Sequence, residues 1–286
     1  MVRRRAWVLN LDADVELGTR GPYVLSPRVR RAMEPHVARL AMTLLSPGDL
    51  LVDGRTPAGS AKGLTGKAFC PTQRAVDVLL RAGAEPEAHP SMEVLRCVNS
   101  RAFASSLGVT LPGAAFVTDL DAARERLLGT PVVGDGWRVK YAFGMTGRNQ
   151  RVVRRPCIDD EEARFLVAGL AQGGVQIEPN VAIDRELALH GMLRADGGFD
   201  LGQLVWQRCD ARGAWVSSER VVAPVEGARM REELRVVAVA LHGAGYFGPF
   251  GVDAYVYRGP DGALAFQPRS EINARYSMGF ATGFGN

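Results

Sequence analysis

A lysine at the end of a strand-like run, followed at once by a glycine-bearing turn, is the first feature that could do chemistry: Val139-Lys140-Tyr141-Ala142-Phe143-Gly144-Met145-Thr146-Gly147-Arg148. Glycines let backbone N–H groups close on phosphate oxygens with no side chain in the way, and the ammonium adds a point charge. A plain β-hairpin turn explains the same residues about as well. No G-K-[ST] opens a helix, so this is not a Walker-type loop. Further along, Gly251-Val252-Asp253 precedes Ser270-Glu271-Ile272-Asn273-Ala274-Arg275. Glu271 and Asn273 are two apart, so on a strand they project from one face. A carboxylate beside an amide oxygen makes a hard oxygen site suited to Mg²⁺, with phosphate and water completing the octahedron. Asp253, on the preceding strand, offers a third oxygen, and Arg275 continues the face where it could grip a phosphate or a carboxylate. Standing alone, the run reads equally well as the polar face of an edge strand.

A third group lies between these two: Val175-Gln176-Ile177-Glu178-Pro179-Asn180-Val181, then Glu186. A strand that breaks at Pro179 exposes backbone N–H and C=O groups able to read an adenine edge. Glu178 and Glu186 could accept from an adenine amine or ribose hydroxyls. Each is unremarkable by itself.

Composition narrows the class of protein. The 286 residues are 47% hydrophobic and 23% charged, which allows a large core in one large or two medium domains. The net charge of +4 is spread thinly, with small arginine groups at Arg3–Arg5, Arg28–Arg31 and Arg148–Arg155. A nucleic-acid binder would concentrate such charge on one stripe, so no nucleic-acid partner is expected. Cys70, Cys97, Cys157 and Cys209 lie far apart with no C-x-x-C pair, which indicates neither a zinc site nor a disulfide framework. No run approaches the ~18 apolar residues of a membrane span. The start, broken by Asp12 and Asp14, is too charged for a signal peptide, so a cytoplasmic protein is expected. Of 35 basic residues only Lys62, Lys67 and Lys140 are lysine. In so arginine-rich a chain, a retained lysine points to a need for a compact ammonium.

These residues need elements to hold them. The first 90 residues alternate strand and helix: Ala6–Leu11, a helix over Pro27–Leu45, Leu50–Val52, a Gly- and Lys-rich loop over Arg55–Lys67, and a helix over Thr72–Ala82. This predicts a small open α/β domain. Gly83–Pro90 reads as a connection. One helix is expected from Met92 to Leu107, stopped by Gly108. Beyond it come the strand Ala114–Val117, a helix capped by Asp119, a strand over Trp137–Tyr141 and its return, Arg151–Arg154. A helix opened by acidic residues from Asp159 follows, then a hairpin turning at Asp196-Gly197-Gly198. Trp215–Val222, a helix over Ala228–Gly243 and the strands Gly251–Tyr257 and Ala263–Gln267 complete the chain. The larger part is therefore α+β.

The order of the motifs is more specific than any one of them. A lysine with a glycine turn, then E-P-x-V, then Asp, then E-x-N-x-R, spread over about 135 residues, resembles the ATP-grasp superfamily. The resemblance covers Met92–Asn286, and the closing S-E-I-N-A-R-Y-S-M-G is similar to the variant found in certain peptide and amino-acid ligases of that superfamily. It implies an ATP-grasp fold, two α+β subdomains clamping a nucleotide, over residues 91–286, with a lid subdomain at about 112–176. Residues 1–90 would be the small α/β, Rossmann-like domain that precedes it. The implied activity is an ATP- and Mg²⁺-dependent ligase that activates a carboxylate as an acyl phosphate and joins it to an amine. Its partners would be those two small molecules, with a homodimer as an admissible assembly. Two Mg²⁺ ions are implied, with Mn²⁺ as a substitute.

By the same resemblance Lys140 meets the phosphates beneath a lid that includes Gly144, Thr146 and Gly147. Gln176, Glu178 and the Val181 backbone lie along the adenine, and Glu186 meets ribose. Asp253, Glu271 and Asn273 hold metal, while Arg275 stabilises the transferring phosphoryl group, so Lys140 and Arg275 are the catalytic pair. Family members usually carry a second phosphate-binding lysine near the start of this region. Here Arg101 stands in its place, with Arg96 as the other candidate, and Tyr141 replaces a frequent proline. His190 and His242 are expected to be structural, while Asn10, Asp12 and Arg20 read as ordinary loop polarity or, by analogy, could reach substrate from the N-terminal strand ends. A small-molecule kinase on the same scaffold and a non-catalytic nucleotide-binding protein are the competing readings.

Overall fold

The computed structural model describes residues 4–144, 149–154, 158–210 and 215–285. Its first sheet is wholly parallel. β1 (Arg5–Val8) lies between β2 (Leu50–Leu51) and β3 (Thr65–Ala68), and β4 (Glu85–Pro86) extends the β3 side. The helices of this part are α1 (Ala13–Gly18), α2 (Pro27–Leu44) and α3 (Gln73–Arg81). Ser26 caps α2 by accepting from the Val29 N–H, and Pro27 fills the first turn, where its missing N–H costs nothing. β3 falls inside the stretch expected to be loop. Its glycine and lysine content hides a strand, yet Gly66 is there because a Cβ would come within 3.1 Å of Leu79.

The single helix expected over Met92–Leu107 is in fact two, α4 (Met92–Val98) and α5 (Arg101–Ser106). Ser100 stops the first and caps the second, its Oγ accepting from the Ala102 N–H. Asn99 faces the other way: its Oδ1 accepts from the Ala274 N–H at 2.9 Å and its Nδ2 donates to the Ala274 carbonyl. The break thus ties the helix pair to the end of the last strand.

The second sheet is antiparallel, in the order β5 (Ala115–Val117), β8 (Val175–Pro179), β6 (Trp137–Tyr141), β7 (Gln150–Val153). Two helices back it, α6 (Leu120–Leu128) and α7 (Asp160–Ala171), the latter opened by a reciprocal Asp159–Glu162 capping box. Alternation decides which face is which. Trp137, Val139 and Tyr141 join Val175, Ile177 and Leu166 in a buried core. Arg138 and Lys140 of β6, and Gln176 and Glu178 of β8, must then point to the opposite face.

The third sheet has six strands: β9 (Ala182–Leu193), β10 (Phe199–Leu201), β11 (Val205–Cys209), β12 (Trp215–Arg220), β13 (Gly248–Arg258) and β14 (Leu264–Asn273), with order β12-β11-β9-β13-β14 and β10 on β9. α8 (Pro224–Gly243) packs on one face through Met230, Leu234, Val237 and Leu241, and α9 (Phe280–Phe284) follows β14. Val252 and Ile272 also lie in that core, so Asp253, Glu271 and Asn273 face away from it. Trp7, Leu17 and Phe69 of the first part, and Leu95 of α4, belong to the same continuous cluster. Among the described residues no helix is long and apolar enough to cross a membrane.

Candidate functional site

The polar faces of the second and third sheets meet across one cavity of about 1080 Å³. Arg101, Lys140, Gly144, Glu178, Val181, Glu186, Asp253, Glu271, Asn273 and Arg275 all line it. Gln176 is displaced from that wall and lines a small neighbouring recess that also touches Glu178 and Arg101. Thr146 and Gly147 lie outside the described residues, as does Cys157.

The oxygen-bearing cluster follows from strand register. Asp253 and Glu271 are directly opposed across β13 and β14, and Asn273 opposes Gly251, two places along the same face. Asp253 Oδ1 accepts from Gln207 Nε2 at 2.7 Å, and its Oδ2 accepts from Asn273 Nδ2 at 2.9 Å. Donation through its nitrogen leaves the Asn273 amide oxygen aimed elsewhere. Burial, reinforced by the neighbouring Glu271 carboxylate, pushes Asp253 up to about 7, although the two amide donors work against the shift. A half-buried carboxylate beside another carboxylate, with no cation among the described residues paired to it directly, is what a divalent ion would relieve. Among the described residues no three His, Cys, Asp or Glu side chains are arranged to hold a metal ion by themselves. An ion here must therefore draw on the Asn273 amide and on ligand oxygens as well. The donor set is all oxygen and fits Mg²⁺.

Lys140, Arg101 and Arg275 are each held by an acid, while Arg138 donates to the Gln150 and Asn180 amide oxygens. Lys140 Nζ is 2.5 Å from Glu178 Oε1, and both groups are largely buried. Arg101 reaches Glu271 Oε1 with Nη2 at 2.8 Å and the Tyr141 carbonyl with Nη1 at 2.8 Å, so it spans the second and third sheets. Arg275 gives Nε and Nη2 to the two oxygens of Asp14, at 3.2 and 2.6 Å, and Nη1 to the Tyr276 carbonyl. A guanidinium has five N–H donors, so two remain. Burial opposes the Arg275 charge, and Asp14 more than offsets it, which holds the guanidinium protonated. The Arg275 guanidinium also lies 5.3 Å from the centre of the Phe69 ring.

Several neighbours carry no motif and were not legible. Gln207 orients Asp253 from β11, and Asp14 anchors Arg275 from α1. Cys209 lines the cavity, and its thiol is pushed up by burial and by a hydrogen bond to Glu186. Only three-dimensional pairing brings these residues in. Asn10, Asp12 and Arg20, which could have reached substrate, do not line the cavity. Asn10 is buried and bonded to the backbone of Cys70 and to Thr72, and Asp12 is fully buried against Arg74. Arg20 is exposed, away from the cavity wall. The polar groups near the N-terminal strands serve packing, and Asp14 alone of the α1 acids faces the cavity.

Neither His190 nor His242 lines the cavity. His190 is buried, its Nε2 2.7 Å from Ser277 Oγ, and burial lowers it to about 4, so the ring is neutral at physiological pH. His242 is exposed and sits over the Asp196-Gly197-Gly198 turn, as a structural residue would. Arg96 donates to the Leu17 carbonyl and does not reach the cavity, which leaves Arg101 as the arginine placed at the site.

No protein-family model matches the chain, and no curated protein matches it in sequence. Solved structures do. A biotin carboxylase from Campylobacter jejuni, in complex with a β,γ-ATP compound, superposes with a TM-score of 0.57 at 13% identity, covering 97% of this chain and 67% of that one. The biotin carboxylase domain of 2-oxoglutarate carboxylase from Hydrogenobacter thermophilus, solved with MgADP and bicarbonate, gives 0.54 at 14%, covering 98% and 66%. N5-carboxyaminoimidazole ribonucleotide synthetase from Thermus thermophilus gives 0.52 at 19%, covering 95% and 71%. The chain spans about two thirds of the length of these enzymes. The likeness is one of fold: this chain is built on the fold of these enzymes.

Proposed function

We propose that the protein is an ATP- and Mg²⁺-dependent ligase that joins a carboxylate to an amine through an acyl phosphate. One observation carries the reading: the Lys140 ammonium and the Asp253, Glu271 and Asn273 oxygens line the same cavity on an ATP-grasp fold. Residues 1–90 would form a Rossmann-like N-terminal domain, 91–286 the ATP-grasp part, and about 112–176 its lid.

In this reading Lys140 and Arg101 bind the phosphates, Arg101 replacing the family's first lysine. Gly144 and the residues after it cover them. The Val181 backbone, Gln176 and Glu178 border the adenine, and Glu186 takes a ribose hydroxyl. Because Glu178 is already held by Lys140, any bond it makes to the nucleotide shares that ion pair. Asp253, Glu271 and Asn273 would hold one or two Mg²⁺ ions, with Mn²⁺ able to substitute. The metal's contribution is to neutralise charge as the phosphoryl group moves. For Glu271 to serve as a ligand it must loosen from Arg101, which frees that guanidinium for a phosphate, so one exchange readies both groups.

A carboxylate oxygen attacks the γ-phosphorus and ADP leaves. The amine nitrogen then attacks the acyl carbon, the C–O bond to phosphate breaks, and phosphate and a proton depart. Arg275 stabilises the transferring group with its two uncommitted N–H donors. The chain needs no Ser, Cys or His nucleophile, because positioning and fixed charge supply the rate.

The test is phosphate release from ATP with pooled amino acids and small carboxylic acids, using Glu271→Ala as the blank. Turnover in the variant is expected to fall by about 10²–10³-fold, the usual effect of losing one group that meets transition-state charge, with the fold intact by circular dichroism. Near-normal turnover in Glu271→Ala would reject the metal assignment. A phosphorylated product with no free phosphate would show a kinase instead.

A further inference from the structure

The cavity wall has two parts. The second and third sheets supply one, the charged residues described above together with apolar ones such as Ile183, Leu187 and Tyr255. The other is formed by Leu11, which follows β1, by Phe69, which follows β3, by Met278 just ahead of α9, and by one stripe of α2. That stripe is Val29, Ala32, Met33 and His36, spaced i, i+3, i+4 and i+7, which is one helical face. α2 packs against α9, so its stripe and Met278 belong together. Leu11 and Phe69 sit just beyond the carboxyl ends of parallel strands, where open α/β sheets place their ligands.

The polar groups in this part are mostly committed. Asp14 is occupied by Arg275, and Ser277 Oγ is paired with the buried His190. Arg74, which could have met an anion from this side, is held by Asp12 and Glu16 and does not reach the cavity. Arg275, whose guanidinium lies against Phe69, brings a cation to this compartment. A substrate with its own phosphate or sugar would leave polar groups unpaired against Leu11, Val29, Met33 and Met278, which costs binding.

Resting on the ligase reading above, we infer that this compartment holds the non-reacting part of the activated acid, and that this part is an alkyl or aryl group. The substrate class is a small carboxylic or amino acid with an apolar side chain. Its carboxylate lies toward Arg275 and the oxygen cluster, and its side chain lies along the α2 stripe. Val29 and Ala32 are then specificity residues: they shape the pocket and take no part in phosphoryl transfer.

The experiment uses the full chain with MgATP and hydroxylamine as the common acceptor, which converts an acyl phosphate to a hydroxamate and releases phosphate. An apolar pool (leucine, isoleucine, methionine, phenylalanine) is compared with a polar pool (serine, asparagine, aspartate, lysine). Hydroxamate is expected from the apolar pool at least ~10-fold faster, the usual discrimination of a hydrophobic pocket. Val29→Asp and Ala32→Phe are each expected to raise KM for the preferred apolar acid ~10-fold or more. Their affinity for MgATP, read by titration calorimetry, should stay within about twofold of the parent. Because Ala32→Phe adds no charge, it covers the case in which Val29→Asp fails to fold. Equal or faster reaction of the polar pool, or an unchanged KM in the folded variants, would overturn the inference while leaving the ligase reading in place. MgATP binding with no hydroxamate from any acid would reject the ligase reading, and this inference with it.

Discussion

Asp253→Asn is expected to make the metal-free protein more stable and the enzyme nearly inactive. Asp253 is half-buried in the cavity wall, and its acid form persists to about pH 7 in the folded chain against 3.8 for an ordinary aspartate. Between those values the folded state holds a proton that the unfolded state has lost. Wild-type stability therefore falls as pH rises from about 4 to about 7 and is level above that. Asparagine has no such proton. It can still accept from Gln207, and Asn273 can present its oxygen to the new amide, so no donor need be orphaned. The variant's advantage should be near zero at pH 4 and grow to a plateau of about 2–4 kcal/mol above pH 7, following ~1.4 kcal/mol per pKa unit. Thermal melts at pH 4, 6 and 8 without metal measure it. Mg²⁺ with an ATP analogue should stabilise the wild type strongly and the variant little, while turnover drops by about 10³-fold. A variant less stable than wild type at pH 8 would mean that Asp253 is adequately compensated by the protein and needs no ion.

Lys140→Met should lose both activity and stability. It removes the ammonium opposite the oxygen cluster and leaves Glu178 buried without its cation. An orphaned buried charge costs about 3–5 kcal/mol, so a clear fall in melting temperature is expected. The double variant Lys140→Met/Glu178→Gln removes both charges and should recover most of that stability. Its ATP turnover should remain down by about 10²-fold or more, since the phosphates have lost their point charge. Recovery of turnover together with stability would show that Lys140 acts only as the structural partner of Glu178.

Both predictions rest on residues whose types and spacing could be read in advance, and they show what could not. The strand over Trp137–Tyr141 was legible, and its period-2 burial, with Trp137, Val139 and Tyr141 in the core and Arg138 and Lys140 on the other face, is a local property of a strand. The pairing of Asp253 with Glu271 needed only a short antiparallel return between adjacent strands. β3 was hidden because its glycine and lysine weaken local strand preference, while its parallel pairing with β1 arises from residues about 60 positions away. The break at Asn99–Ser100 was hidden for a similar reason: Asn99 is held by Ala274, far along the chain. The same separation conceals Asp14 and Gln207, which belong to the site through contacts with Arg275 and Asp253 alone.

The most direct test follows the oxygen atoms of the reaction. The acid that gives the fastest phosphate release is prepared with ¹⁸O in its carboxylate and turned over with MgATP and an amine. If the carboxylate attacks the γ-phosphorus in this cavity, each phosphate released carries one ¹⁸O taken from the acid. Release of phosphate without label would contradict an acyl phosphate, and with it the roles given to Lys140, Arg275 and the oxygen cluster.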